Sequence, residues 1–160
     1  LRRGELVGLR VGDIDVDRRQ VFVRGGKGKK DRSTVLGDSM AIALQHYVKE
    51  YKPAYWLFEG PGKKRYSSES VRQIVKQARN KAGIVKTVTP HVLRHSFATH
   101  LMDHGTDTRF IQELLGHGNL NTTAIYAHVS TRSLQKIKSP LDRILEHNPL
   151  DDNDVKKRLT

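Results

Sequence analysis

Between residues 89 and 116 the chain is punctuated so closely by helix start and stop residues that two short helices and a tight turn must fill it. Thr89-Pro90 opens the first helix. The threonine hydroxyl can accept from an unpaired N–H of the first turn, and proline there lacks only an N–H that would have had no partner. That helix runs to about His104 and stops at Gly105; Asp107 caps the next, which stops at Gly116.

The remainder reads in the same terms. Leu1, Leu6 and Leu9 stand at roughly helical spacing, until Gly12 and Asp13 break the pattern. Three short β-like pieces follow, Ile14–Val16, Gln20–Arg24 and Ser33–Leu36, separated by Asp17–Arg19 and Gly25–Lys30. Asp38 is the expected cap of a helix from about Ser39 to Tyr51, with Ile42, Leu44, Tyr47 and Val48 available to the core, and Pro53 beyond its end. Trp56–Phe58 is an apolar patch before the loop Gly60–Lys64. Ser67 or Ser68 starts a further helix through Val71, Ile74, Val75 and Ala78, closed by Gly83. A short helix is expected near Thr122–Ala127, another after Pro140, and a mobile charged tail at Asp151–Thr160. The expected class is α+β, mostly helical, with a small three-stranded antiparallel sheet near the N-terminus.

At 160 residues the chain can bury one core, and residues 1–150 are expected to form one domain. With 29 Lys plus Arg against 17 Asp plus Glu, the net charge is +12, which points to a polyanionic partner, most commonly nucleic acid. The absence of cysteine excludes disulfides and thiolate metal sites. No apolar run reaches the ~18 residues of a membrane span, and no signal peptide is visible. The chain opens on Leu1, already in helical pattern, and is expected to begin inside a longer protein.

Four places hold polar residues that a core does not require. Arg2 and Glu5 lie three apart and hence on one helix face. Lys27 lies at the tip of an expected hairpin, in a segment that also carries Arg24, Lys29, Lys30 and Arg32. His91 and Arg94 share a face of the helix begun by Pro90. His117 follows the Gly116 stop, and Tyr126 comes nine residues later. Taken singly, each has an ordinary reading: a solvated ion pair, a soluble turn, a cap neighbour, a packing tyrosine. The histidines of the Pro90 helix do not make a metal site. At about 100° per residue, His91, His95, His100 and His104 fall near about 0°, 40°, 180° and 220°, so the two pairs face opposite sides. Val92 stands where a His-Glu-x-x-His zinc motif needs its glutamate.

Taken together, these places resemble the catalytic domain of the tyrosine recombinases, the Xer-type and phage integrases. Leu1-Arg2-Arg3-Gly4-Glu5-Leu6 is similar to the first arginine box of that family, and Gly26-Lys27-Gly28-Lys29-Lys30-Asp31-Arg32 to its lysine hairpin. Thr89 to His100 resembles its His-x-x-Arg box. Leu114-Leu115-Gly116-His117, Thr122-Thr123 and Tyr126-Ala127-His128-Val129 resemble its final box. The match runs from Leu1 to about Pro140, and the helices and the DNA-gripping domain that precede the first box in the family are expected to be missing from this chain.

The resemblance implies the DNA breaking-rejoining fold and a site-specific recombinase that uses no cofactor and no metal. It implies Tyr126 as nucleophile, Arg2 and Arg94 on the phosphate, His91 as proton acceptor and His117 as a phosphate hydrogen-bond donor. Lys27 is then the general acid, with Lys29 its nearest rival. Glu5 supports Arg2, while Lys29, Lys30 and Arg32 are candidate DNA-phosphate contacts. Guanidinium suits the first role because its parallel donors match phosphate oxygens and stay charged. Double-stranded DNA is the implied partner, bound by a dimer per site and a tetramer in synapsis, in the cytoplasm of a prokaryote or of the host of a mobile element. The helix after Pro140 would either fold back on its own core or dock on a neighbouring subunit. A type IB-like topoisomerase and an idle DNA-binding fragment are the competing readings.

Overall fold

The three β-like pieces pair into one antiparallel sheet of order β1-β2-β3, built from Ile14–Asp15, Gln20–Val23 and Arg32–Val35. A computed structural model describes residues 1–25, 31–116 and 137–147. Ile14 lies opposite Val21, while Gln20 pairs with Val35 and Val23 with Arg32. Val21 and Val23 are buried and Phe22 between them is exposed, the period-two alternation of a sheet with one covered face. Before the sheet come α1, Arg3–Val7, and a 3₁₀ turn, Val11–Asp13, which falls where Gly12 and Asp13 break the opening pattern.

Helix α2 spans Asp38–Tyr51, one residue earlier than expected, and its cap is not Asp38. The Asp38 carboxylate pairs instead with Arg19 at 3.0 Å. The first-turn N–H groups of Asp38 and Ser39 donate to the two carboxylate oxygens of Asp142, each at 2.9 Å, from the far end of the chain. Asp142 belongs to α6, Pro140–His147, so the last described helix is stapled in cis onto the first turn of α2. Gly37 makes this possible: a Cβ there would stand 2.6 Å from Asp142 Oδ2 and 2.6 Å from Ser139 Cβ. Of the four apolar residues expected inward from α2, Leu44 is buried and Ile42 is half exposed; Ala41 takes its place in the core.

Helix α3, Ser68–Lys81, starts from Ser67, whose hydroxyl accepts from the Ser70 N–H at 3.0 Å. None of its residues is buried, and Ile74 is 54% exposed. Spacing identifies an apolar stripe, but which neighbours cover it is a tertiary matter; among the described residues α3 packs mainly against α1 and α4. Helices α4, Pro90–Asp103, and α5, Thr108–Leu115, follow the sequence punctuation closely. Thr89 Oγ1 accepts from Val92 N–H at 3.2 Å, Asp107 accepts from Arg109 N–H at 2.8 Å, and Gly116 ends α5 in the left-handed conformation.

The apolar residues gather in two clusters. Leu9, Val21, Leu36, Ala41, Leu44 and Leu57 form one cluster; Leu101, Ile111, Leu114 and Leu115 form another, with Val35 and Phe97 against it. Fully buried leucines of this kind contribute about 1.5–3 kcal/mol each. The second cluster presses α5 onto β3, and that contact sets the geometry of the site. Among the described residues no helix is long and apolar enough to cross a membrane. The hairpin tip, the short helix expected at 122–127 and the charged tail lie outside the described residues.

Candidate functional site

A helix ends with its last carbonyls unpaired, and at α5 three guanidinium groups from three different elements take them up. Arg32, the first residue of β3, donates from Nε to the Leu114 carbonyl at 3.2 Å. Arg94, in the second turn of α4, donates from Nη2 to the Leu115 carbonyl. Arg2, just ahead of α1, donates from Nη2 to the Gly116 carbonyl at 2.8 Å. Cations here also face the negative end of the α5 dipole. Gly116, with a left-handed φ of +65°, ends α5 at these carbonyls.

Glu5 ties two of the three arginines together. Its Oε1 accepts from Arg2 Nη1 at 2.8 Å and Arg32 Nη1 at 3.0 Å. Its Oε2 accepts from Arg32 Nη2 at 2.9 Å and from the Arg2 backbone N–H at 2.7 Å. The Glu5 side chain is only 7% exposed and that of Arg32 9%, whereas Arg2 is 31% exposed. Burial alone would raise the Glu5 carboxyl, but hydrogen bonds from the Arg32 side chain and from Arg2 prevail and hold it at about 2. It is therefore a carboxylate throughout the neutral range. Arg94 is pushed in the opposite sense: burial, then the charge of Arg2, lower its pKa. One of its donors, Nη1, is buried without a hydrogen-bond partner among the described residues. A buried guanidinium N–H left without a partner costs free energy, which an anion accepting from it would recover.

The neighbouring hairpin is described up to its base. Gly25 N–H donates to Asp31 Oδ1 at 2.7 Å, tying the end of β2 to the start of β3. Arg24 Nε bonds the buried Asp13 at 2.8 Å and its guanidinium lies over the Phe22 ring, so the strand entering the turn is anchored.

Of the residues singled out in the sequence, Arg2, Glu5 and Arg94 are brought together at the end of α5, and His91 lies exposed one turn before Arg94. Arg32, expected among the cations reaching for DNA phosphate, points inward onto Glu5 instead. Lys27, Lys29, Lys30, His117 and Tyr126 lie outside the described residues. The Leu114–Gly116 carbonyls escaped sequence reading altogether, because every residue carries a carbonyl and only the fold decides which are left unpaired. No group of three or more His, Cys, Asp or Glu among the described residues could hold a metal ion.

Comparison with known proteins places this arrangement. A family model described as the phage integrase family matches residues 1–133. The chain is similar to tyrosine recombinase XerA of Thermococcus kodakarensis, 44% identical over 140 residues, which cover 85% of this chain and 49% of that protein. It is also similar to tyrosine recombinase XerD of Staphylococcus epidermidis, 41% identical over 145 residues, covering 86% of this chain and 48% of that protein. The chain thus spans about half the length of the curated relatives it matches. Among solved structures, that of XerA recombinase superposes with a TM-score of 0.70 at 35% identity, over 94% of this chain and 54% of that one. XerH site-specific recombinase in a post-cleavage complex with its palindromic difH substrate gives 0.64 at 28% identity, over 84% and 40% respectively.

Proposed function

Because this chain belongs to the phage integrase family of tyrosine recombinases, we propose that it supplies the catalytic part of a site-specific DNA recombinase that breaks and rejoins strands through Tyr126. The observation that carries the reading is the convergence of Arg2 and Arg94 on the end of α5, with one Arg94 donor unspent. A phosphodiester attacked in line gathers charge on its non-bridging oxygens, and two preorganised guanidiniums stabilise that charge without reorganising. Residues 1–150 act in this reading as one catalytic domain.

Tyr126 is the nucleophile. A free phenol titrates near ~10, so it must lose its proton as it attacks, and His91 on the exposed start of α4 accepts it. His117, the residue after Gly116, bonds a phosphate oxygen. Lys27, in the segment between the hydrogen-bonded Gly25 and Asp31, protonates the departing 5′-oxygen, with Lys29 as its rival. The phosphorus–oxygen bond to the 5′ side breaks as the bond to Tyr126 forms, leaving a 3′-phosphotyrosine and a free 5′-hydroxyl. Attack by another 5′-hydroxyl reverses the step with no outside energy, no cofactor and no metal.

Double-stranded DNA is the partner, and a dimer on each site with a tetramer in synapsis is the assembly. The exposed apolar side chains Leu141 and Ile144 on α6 support contact with a neighbouring subunit, since that helix buries Pro140 and Asp142 and leaves those two outside. A cytoplasmic place of action goes with a DNA substrate.

A nicked suicide duplex tests the chemistry. The protein should become covalently attached to DNA with EDTA present, and Tyr126→Phe should bind the duplex yet form no adduct on a denaturing gel. An adduct surviving Tyr126→Phe would move the nucleophile elsewhere, and strict Mg²⁺ dependence would point to a nuclease.

A further inference from the structure

We propose that Arg32 is a positioning residue: its guanidinium spans Glu5 and the Leu114 carbonyl, so that Arg2 and Arg94 are held around the end of α5 with their charge left for the DNA phosphate. The proposal rests on the reading of the site given above.

Its first support is geometric. Arg32 presents both terminal nitrogens to the two oxygens of Glu5, at 3.0 and 2.9 Å, and its Nε to α5. Glu5 is thereby held in the plane in which Oε1 also reaches Arg2 Nη1, leaving Arg2 Nη2 for the Gly116 carbonyl. With its side chain 9% exposed, Arg32 could reach an outside phosphate only by abandoning a buried carboxylate. The second support is charge. Arg2 and Glu5 alone would form a neutral pair, and the arginine would be spent on its own carboxylate. Arg32 offsets Glu5, so the Arg2–Glu5–Arg32 group keeps one net positive charge beside Arg94. The third is connectivity. Arg32 is the first residue of β3, directly after the lysine-bearing turn, and Leu114 lies three residues before His117. One side chain thus joins the hairpin, the first arginine box and the helix that precedes the final box.

The test uses the purified protein, Arg32→Gln, Arg32→Lys and the paired variant Glu5→Gln/Arg32→Gln, with melting curves to show which are folded. Two measurements are made on nicked duplex DNA: the salt dependence of binding, and the single-turnover rate of adduct formation at saturating DNA. A phosphate contact contributes about 0.9 to the slope of log affinity against log salt. Loss of a positioning residue should leave that slope within about 0.3 of wild type. The adduct rate of Arg32→Gln should fall at least about tenfold, a difference of about 1.4 kcal/mol in the barrier. Arg32→Lys keeps the charge but not the two-pronged geometry, and should also lose rate, by a smaller factor. The paired variant restores the charge balance and should be faster than Arg32→Gln, whereas losses that simply add would remove the charge argument and overturn the proposal. A slope lowered by about one, or an unchanged adduct rate, overturns it as well. If Arg32→Gln does not fold, Arg32→Lys decides by the same two measurements. Absence of any adduct from the wild-type protein would refute the proposed chemistry, and the salt slope would still decide whether Arg32 contacts phosphate.

Discussion

Replacing Gly116 by alanine puts two separate loads on the end of α5, and Gly105 allows them to be told apart. Both glycines follow a helix with a left-handed backbone, φ of +65° at Gly116 and +75° at Gly105. A Cβ in that conformation crowds the following carbonyl and costs about 1–2 kcal/mol. At Gly105 nothing among the described residues lies within 4 Å of the added Cβ, so that is the whole expected cost. At Gly116 the new Cβ would stand 3.0 Å from both Cζ and Nε of Arg32. The guanidinium would have to retreat by a few tenths of an ångström while held by Glu5 at both ends and by Leu114 at Nε. Hydrogen bonds involving a charged group contribute about 1.5–3 kcal/mol each, and weakening this set should add about 1–2 kcal/mol. Gly116→Ala is therefore expected to cost about 2–4 kcal/mol and Gly105→Ala about 1–2. Urea unfolding of both variants at neutral pH, with slopes unchanged, measures the difference. In an Arg32→Gln background the excess should disappear. Costs that agree within about 0.5 kcal/mol would mean that Arg32 does not pack against Gly116, and the geometry argued for the site would fail.

The cap supplied by Asp142 gives a second expectation: Asp142→Ala should cost about 1–2 kcal/mol in urea unfolding, because two N–H groups of α2 lose their acceptor. Gly37→Ala should lower stability through the same contact, and a neutral result for both would show that α6 is not stapled there. The acid limb of stability provides a third. Glu5 titrates at about 2 in the folded protein against an ordinary 4.5, so the folded state binds fewer protons between those values. Its contribution is complete above about pH 4.5 and disappears as pH falls toward 2. At about 1.36 kcal/mol per pH unit the ceiling is about 3 kcal/mol, reduced to about 1–2 by solvent screening. Glu5→Gln should flatten this limb in denaturation curves taken from pH 2 to 6, and an unchanged limb would refute the assignment.

Local chemistry determined much of this protein before any tertiary contact was known. Thr89, Pro90, Gly105, Asp107 and Gly116 act through their own backbone or the adjacent turn, so α4 and α5 begin and end where the sequence places them. Period-two alternation around Phe22 marks the hairpin for the same reason. Spacing set Arg2 on the same face as Glu5, and likewise His91 with Arg94, because three residues nearly complete a helical turn. What the tertiary structure decided are the pairings that depend on who arrives from a distance. Asp38 has the composition of a cap, yet Asp142 performs that task from 104 positions away. Arg32 looks like one more cation of a basic hairpin, yet packing of α5 on β3 turns it inward onto Glu5 and Leu114. A charge becomes a contact with DNA or a brace within the fold according to whether a buried carboxylate and an unpaired helix end stand within reach, and only the assembled chain brings them there.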